Sequence, residues 1–217
     1  MEIFADTANI EEIKELISWG IISGVTTNPS IVAKEEGCDF EKQIKEIAKL
    51  TDGPISVEVT TNDTNEMVRE AEEYNKWGKN IAIKIPMGIP GLKAVKILSE
   101  KGIKTNVTAC MSTRQAVLAA LAGATYVSLF WARIEDMGYD AEQVTMETVD
   151  IFEQHGITTK IILGSFRQAS HLNRAFRSGA HVLTIPTPVL KTLPWNPRTE
   201  STIDEFLDTW AKFKKKK

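Results

Sequence analysis

Apolar and polar residues run along this chain in two alternating rhythms. One has period two, as in Ile3-Phe4-Ala5-Asp6, and it returns within 20–25 and over 55–59, 80–86, 103–108, 125–130, 160–164 and 181–185. Such runs, rich in β-branched residues and bounded by turn signals, predict strands. The other rhythm is helical. Ile10, Ile13, Leu16 and Ile17 recur at helix spacing behind Asn9, a good N-cap. Pro29 can open a further helix, and helices are predicted over 39–50, 65–76, 91–100, 113–122, 141–154, 168–178 and 187–193, with a terminal one over 199–214. Gly123, Gly156 and Gly179 supply stops.

Eight strand–helix units in strict alternation imply parallel strands joined by right-handed crossovers. Eight units within 217 residues favour a closed (β/α)8 barrel at the compact end of its size range. The alternative is an open doubly wound sheet, but no strand is followed by Gly-x-Gly-x-x-Gly. No linker, repeat or low-complexity stretch divides the chain, so one barrel domain over residues 1–217 with its terminal helix is expected.

Composition narrows the function classes. A hydrophobic content of 42% and a charged content of 25% are those of a soluble globular chain. A net charge of −3 offers nothing to a nucleic acid or a membrane surface. The basic run Lys214 to Lys217 reads as a solvated helix end suited to the dipole, or as an addition to the natural chain. Cys38 and Cys110 lack metal-like spacing and suggest no oxidising compartment. The start, Met1-Glu2-Ile3-Phe4, does not resemble a signal peptide, and no apolar run approaches the roughly 20 residues of a membrane span. A cytoplasmic location is expected.

One strand breaks the pattern of its class. In Asn80-Ile-Ala-Ile-Lys84-Ile-Pro86 the three isoleucines share a face and Lys84 lies on the other, with Ala82. A central strand of an α/β protein should be apolar or small there. An unpaired buried ammonium is costly, and a lysine held partly neutral is a nucleophile able to form a Schiff base with a carbonyl. The alternative is a strand end whose lysine snorkels to solvent.

In a (β/α)8 barrel, catalytic groups gather at the C-terminal ends of the strands, so strand parity tests the idea. Parity groups Phe4 with Asp6; Gly24 with Thr26 and Asn28; Ser56 with Glu58; Asn106 with Thr108; Tyr126 with Ser128 and Phe130; and Leu163 with Ser165 and Arg167. Any one such polar residue is usually a satisfied structural group; seven strands offering one at the same end form a site. The set has no His pair or Cys cluster for a metal, and His155, His171 and His181 read as surface or capping residues. Its chemistry is that of Lys84 attacking a ketone, with Asp6 as the base that removes a hydroxyl proton so that a carbon–carbon bond breaks. Glu58 and Thr108 can hold a water that shuttles protons. Asn28, Asn106 and Ser128 can bind substrate hydroxyls. Arg133 and Arg167 with Ser165 make a phosphate-sized anion site.

The motifs Phe4-Ala-Asp6-Thr-Ala-Asn9, Gly24-Val-Thr26-Thr-Asn28-Pro29-Ser30, Ile83-Lys84-Ile-Pro86, Thr105-Asn106-Val-Thr108 and Ser165-Phe-Arg167 resemble the transaldolase family. The resemblance is closest to its small single-barrel branch, which also holds the fructose-6-phosphate aldolases, and runs from Ile3 to about Trp210. It implies a Schiff-base lysine at Lys84, an acid/base aspartate at Asp6, and no metal or organic cofactor. It implies transfer of a dihydroxyacetone unit from a ketose phosphate (fructose 6-phosphate or sedoheptulose 7-phosphate) to an aldose phosphate (erythrose 4-phosphate or glyceraldehyde 3-phosphate), in the non-oxidative pentose phosphate pathway. It further implies a pentamer or decamer, with the terminal helix reaching a neighbour. Transaldolases resemble this chain at Glu58 and Phe130, where the aldolases tend to carry glutamine and tyrosine, and Phe130 has no hydroxyl with which to release free dihydroxyacetone.

The chain departs from the family pattern at Trp131 and Ala132, where valine and glycine are usual, at Ala109-Cys110-Met111, at Gly164 and at Ala5. Trp131 reads either as a bulky neighbour of the anion site or as an outward packing residue. Beside transaldolase stand three alternatives: fructose-6-phosphate aldolase-like cleavage, for which Tyr126 is the available donor; a donor sugar with another anionic head, such as a sulfonate; and a non-catalytic sugar-phosphate binder.

Overall fold

The computed structural model describes residues 1–33 and 39–215. Cys38, and Lys216 and Lys217 of the basic tail, lie outside them. The strands are β1 (Glu2–Asp6), β2 (Ile22–Thr26), β3 (Ile55–Glu58), β4 (Ile81–Pro86), β5 (Thr105–Cys110), β6 (Tyr126–Phe130), β7 (Lys160–Gly164) and β8 (Val182–Pro186). Each pairs in parallel with the next, and β8 pairs with β1 to close the barrel. This is the (β/α)8 barrel expected from the alternation.

Helices alternate with the strands: α1 (Ile10–Ser18), α2 (Pro29–Val32), α3 (Phe40–Leu50), α4 (Thr64–Tyr74), α5 (Ile89–Glu100), α6 (Thr113–Leu121), α7 (Trp131–Asp136), α8 (Ala141–Gln154), α9 (Ser170–Arg177), α10 (Thr187–Thr192) and α11 (Pro197–Lys214). Several begin on side-chain caps, where an oxygen takes up an otherwise orphaned backbone N–H. Asn9 Oδ1 accepts from Glu12 N at 3.0 Å, and Asn28 Oδ1 accepts from Ile31 N at 3.0 Å, with Pro29 at the first position of α2. Asp39, Ser112 and Asp140 cap α3, α6 and α8 in the same way.

Helix α7 is not among the predicted elements. It starts directly at the end of β6 with no turn residue and no capping side chain, so the local pattern carries no break to announce it. Its stability comes from tertiary burial of Trp131, Ala132 and Ile134.

Outward-facing strand residues, among them Val25, Ile83, Val107 and Leu129, pack against the helices in the main core. The barrel interior is layered. Phe4, Ala82, Tyr126, Ile162 and Val182 form a separate buried cluster that fills its lower part. Gly24 makes room for it, since a Cβ there would lie 2.7 Å from the Phe4 ring. The next inward position is polar on β1, β4, β6 and β8 and a glycine on β7, and that layer holds the candidate site.

Strand β7 corrects the parity assignment. Ser128 pairs with Ile162 and Phe130 with Gly164. Paired residues on parallel neighbours share a face, so Ile162 and Gly164 point inward while Leu163 sits in the outer core. Regular alternation would send Ser165 outward with Leu163, yet Ser165 lines the cleft. Its backbone turns to φ 63° just past the strand, which local alternation does not encode.

Candidate active site

The centre of the site is Lys84. It is only 6% exposed, yet it is not the unpaired ammonium that would be most costly to bury. Its Nζ lies 3.1 Å from Glu58 Oε2 and donates to the Thr27 carbonyl at 3.0 Å. The register explains the pair: Glu58 on β3 sits directly beside Lys84 on β4. Glu58 is the wetter partner, with its side chain 20% exposed, so the pair stands between the barrel floor and the open cleft. Lys84 is thus not a frayed, solvated strand end.

Around it opens a cleft of two overlapping lobes at the C-terminal ends of the strands. The larger, with a cavity volume of about 730 Å³, contains Asp6, Asn28, Glu58, Lys84, Thr108, Phe130 and Arg133 in its wall. The smaller, of about 200 Å³, is walled by Thr26, Ser128, Ser165 and Arg167 and shares Asp6, Asn28, Lys84, Phe130 and Arg133 with the larger. The structure therefore brings together nearly every residue singled out from the sequence.

Asp6 accepts a hydrogen bond from Thr26 Oγ1 at 2.7 Å. The register sets this contact, because Asp6 pairs with Thr26 across β1 and β2. Thr108 Oγ1 is buried in the larger lobe with no hydrogen-bond partner among the described residues. A buried hydroxyl in that state costs free energy unless a ligand or water satisfies it, and it lies on the strand next to Lys84, with Thr108 opposite Pro86. Ala109 follows at φ 59°, so the two non-glycine residues at positive φ among the described residues, Ala109 and Ser165, both sit at the cleft rim. Strain of this kind, on the order of 1–3 kcal/mol each, persists where the surrounding structure imposes it and clusters at functional sites.

Asn106 is the exception. It is fully buried and does not line either lobe. Its Nδ2 donates to Ser56 Oγ at 3.0 Å and its Oδ1 accepts from Ser128 Oγ at 2.7 Å. Asn106 fixes the cleft floor and meets the cavity only through Ser128. Asn28 likewise spends its Oδ1 on the α2 cap.

Arg133, at the exposed end of α7's first turn, stacks over the Phe130 ring, 5.3 Å from its centroid. Arg167 reaches the smaller lobe, but its guanidinium is paired with Asp136 on α7, through Nη1 at 3.0 Å and Nη2 at 2.6 Å. That pair holds the Asp136 carboxyl below its ordinary range and raises the Arg167 guanidinium. Trp131, by contrast, is completely buried in the outer core beside Phe166 and under Arg174. It is an outward packing residue and does not approach the anion lobe.

Tyr126 belongs to the lower layer, does not line the cleft, and has its phenol pushed up by burial. Cys110 is also inert: burial pushes its thiol up to about 12. No group of three or more His, Cys, Asp or Glu residues that could hold a metal occurs among the described residues. None of the helices there is long and apolar enough to cross a membrane.

Sequence reasoning missed two features. Thr184 on β8 meets Thr26 Oγ1 at 2.5 Å and lines the smaller lobe; parity with Val182 would have found it. Glu12 on α1 accepts from both Thr7 Oγ1 at 2.7 Å and Thr187 Oγ1 at 2.6 Å at the edge of the larger lobe. That link spans β1 to α10, and no local pattern signals it.

The chain matches the family described as Transaldolase/Fructose-6-phosphate aldolase over residues 3–217. Among its relatives are proteins named probable transaldolase from Desulforudis audaxviator, 48% identical over all of both chains, and from Carboxydothermus hydrogenoformans, 51% identical over 99% of this chain and all of that one. Another so named, from Shouchella clausii, is 50% identical over 98% of each. A barrel with a lysine–glutamate pair at its mouth, matched over its whole length by that family, belongs to the transaldolase/fructose-6-phosphate aldolase family.

Proposed function

We propose that this protein is a transaldolase working through a Schiff base on Lys84. The observation that carries the reading is the buried Lys84 amine, bound to Glu58 at 3.1 Å on the wall of a cleft that also holds Asp6 and Thr108. A buried, carboxylate-paired amine at a strand end needs only to pass its proton to that carboxylate to become a nucleophile.

The steps follow from the positions. The Lys84 nitrogen adds to the ketose C2 carbonyl, whose oxygen takes up a proton and becomes a hydroxyl. Glu58 and Thr108, with a water between them, protonate that hydroxyl, which leaves as water and gives the iminium ion. Asp6 removes the C4 hydroxyl proton. The C3–C4 bond then breaks, its electron pair flows into the iminium as an enamine, and the aldose leaves. The acceptor aldehyde enters, the enamine carbon forms the new bond, Asp6 returns the proton to the new alkoxide, and water hydrolyses the imine. Ser128, held by Asn106, and Thr26 and Asn28 bind hydroxyls of the three-carbon unit. Arg133, Ser165 and Arg167 take the anionic head of the sugar. Fructose 6-phosphate or sedoheptulose 7-phosphate as donor, and erythrose 4-phosphate or glyceraldehyde 3-phosphate as acceptor, suit a cleft with a three-carbon pocket and an arginine-walled end.

Two details favour transfer over release. Phe130 faces both lobes without a hydroxyl, and Tyr126 lies a layer below. With no phenol in the cleft to protonate the enamine, an acceptor must resolve it. Trp131 lies in the outer core and does not line either lobe, which supports phosphate over another head group. On α11 the side chains of Phe206, Leu207, Trp210 and Phe213 are exposed, which supports a homo-oligomer in which this helix covers a neighbour; light scattering should give a pentamer or decamer.

The test is borohydride trapping with fructose 6-phosphate, followed by peptide mapping. An adduct on Lys84, with turnover only when erythrose 4-phosphate is added, is the expected result. Cleavage at a comparable rate without an acceptor would replace transaldolase by aldolase, and binding without any adduct would reduce the protein to a sugar-phosphate binder.

A further inference from the structure

Asp136 stands outside the proposed site, yet its carboxylate is paired with a residue inside it, Arg167. Its carboxylate takes the Nη1 and Nη2 donors of Arg167 in a fork-to-fork pair at 3.0 and 2.6 Å, the arrangement by which a guanidinium also grips an oxyanion. Arg133, the other arginine of the lobe, is near enough to act on the same carboxylate. Asp136 is thus a carboxylate paired with a cation that walls the smaller lobe.

The pair is not needed to hold α7 in place. Trp131 is completely buried. Glu135, the neighbour of Asp136, is tied to Arg174 on α9 at 2.7 Å, and Arg174 also binds Asp140 and Glu142. Arg167 and Asp136, by contrast, are both more than half exposed, with side chains 57% and 54% accessible. An ion pair so exposed is cheap to exchange.

We infer that Asp136 is an affinity-limiting counter-ion of Arg167: it occupies the end of the guanidinium fork and gives it up when an anionic head group enters, so that anions bind against an internal competitor. The inference rests on the reading of the smaller lobe as the anion site. An uncharged head group cannot displace the carboxylate, whereas a phosphate, with two charges and three acceptor oxygens, can. Asp136 therefore weakens the binding of every anion that takes its place on Arg167.

The experiment titrates inorganic phosphate into the protein at low ionic strength, read by phosphorus NMR line broadening, for wild type, Asp136→Asn, Arg167→Ala and the double variant; KM for fructose 6-phosphate is measured alongside. Asparagine keeps the shape and removes the charge. The expected result is that D136N tightens phosphate binding and lowers KM about two- to fivefold, the range of an exposed ion pair, and that this gain disappears in the Arg167→Ala background. If Arg167→Ala weakens phosphate while D136N leaves it unchanged or weakens it too, Asp136 is not a competitor, and the inference falls while the anion lobe stands. If Arg167→Ala leaves phosphate binding unchanged, the anion lobe itself is wrong and the role of Asp136 falls with it.

Discussion

The interior of this barrel contains two layers that differ by a step of two residues along each strand, about 7 Å. Below lie Phe4, Ala82, Tyr126, Ile162 and Val182; above, on the same strands, lie Asp6, Lys84, Ser128, Gly164 and Thr184. The lower layer is a buried apolar plug with one phenol. The upper layer is a lattice of polar groups bound to one another across strands. The difference shows how one fold separates stability from chemistry. The plug closes the barrel and gives the upper groups a close-packed apolar floor, on which a buried amine and a buried hydroxyl are held in position.

If the division is real, changes above should cost turnover and changes below should cost stability. The largest effect is expected for Lys84→Ala. Transfer and the borohydride adduct should both vanish, a fall on the order of 10⁴-fold or more as for other essential nucleophiles, while the circular dichroism spectrum stays that of a folded barrel. Glu58→Gln comes next. It keeps the shape beside Lys84 but loses the proton carrier, and kcat should fall roughly 10²- to 10⁴-fold with a much smaller change in KM.

In the plug, Phe4→Ala should lower stability by about 3–5 kcal/mol, measured by urea unfolding, with kcat retained below the melting transition. Loss of turnover in the folded variant would break the division between layers. Gly24→Ala probes the same ring from the other side: its new Cβ would meet Phe4 at 2.7 Å, and the strain should cost about 1–3 kcal/mol without touching Lys84.

The smallest effect concerns pH. His181 sits at the lower rim, accepts from Ile161 N at 3.1 Å through Nδ1, and has its pKa lowered, first by burial and then by Lys160 and the N-terminal charge. The unfolded chain, with the ordinary value of 6.5, takes up a proton more readily than the folded one. The contribution of His181 is therefore complete above that value and is lost as pH falls below it toward the folded-state pKa. His181→Gln should flatten the stability profile in that acid window and leave it unchanged above neutrality.

Much of this was legible in the chain itself. Alternation located the eight strands within a few residues, and parity pointed Asp6, Thr26, Glu58, Lys84, Thr108 and Ser128 toward one cavity. Parity failed where the backbone departs from a regular strand, as at Ser165 with φ 63°, and it had no reach beyond a single strand. That Asn106 would be consumed by Ser56 and Ser128, or that Arg167 would face Asp136, lay outside it.

The amino-acid sequence by itself determined the strands, most of the helices, their order, and the face of each polar group that stands within a regular strand, because those follow from local periodicity and steric preference among near neighbours. Only the tertiary structure decided the partners: the Thr27 carbonyl on Lys84 from 57 residues away, and Thr26 beside Thr184 from 158. Closing the barrel brings β8 against β1 and sets every register at once, and a hydrogen bond a few ångströms long depends on that closure rather than on any stretch of sequence near it.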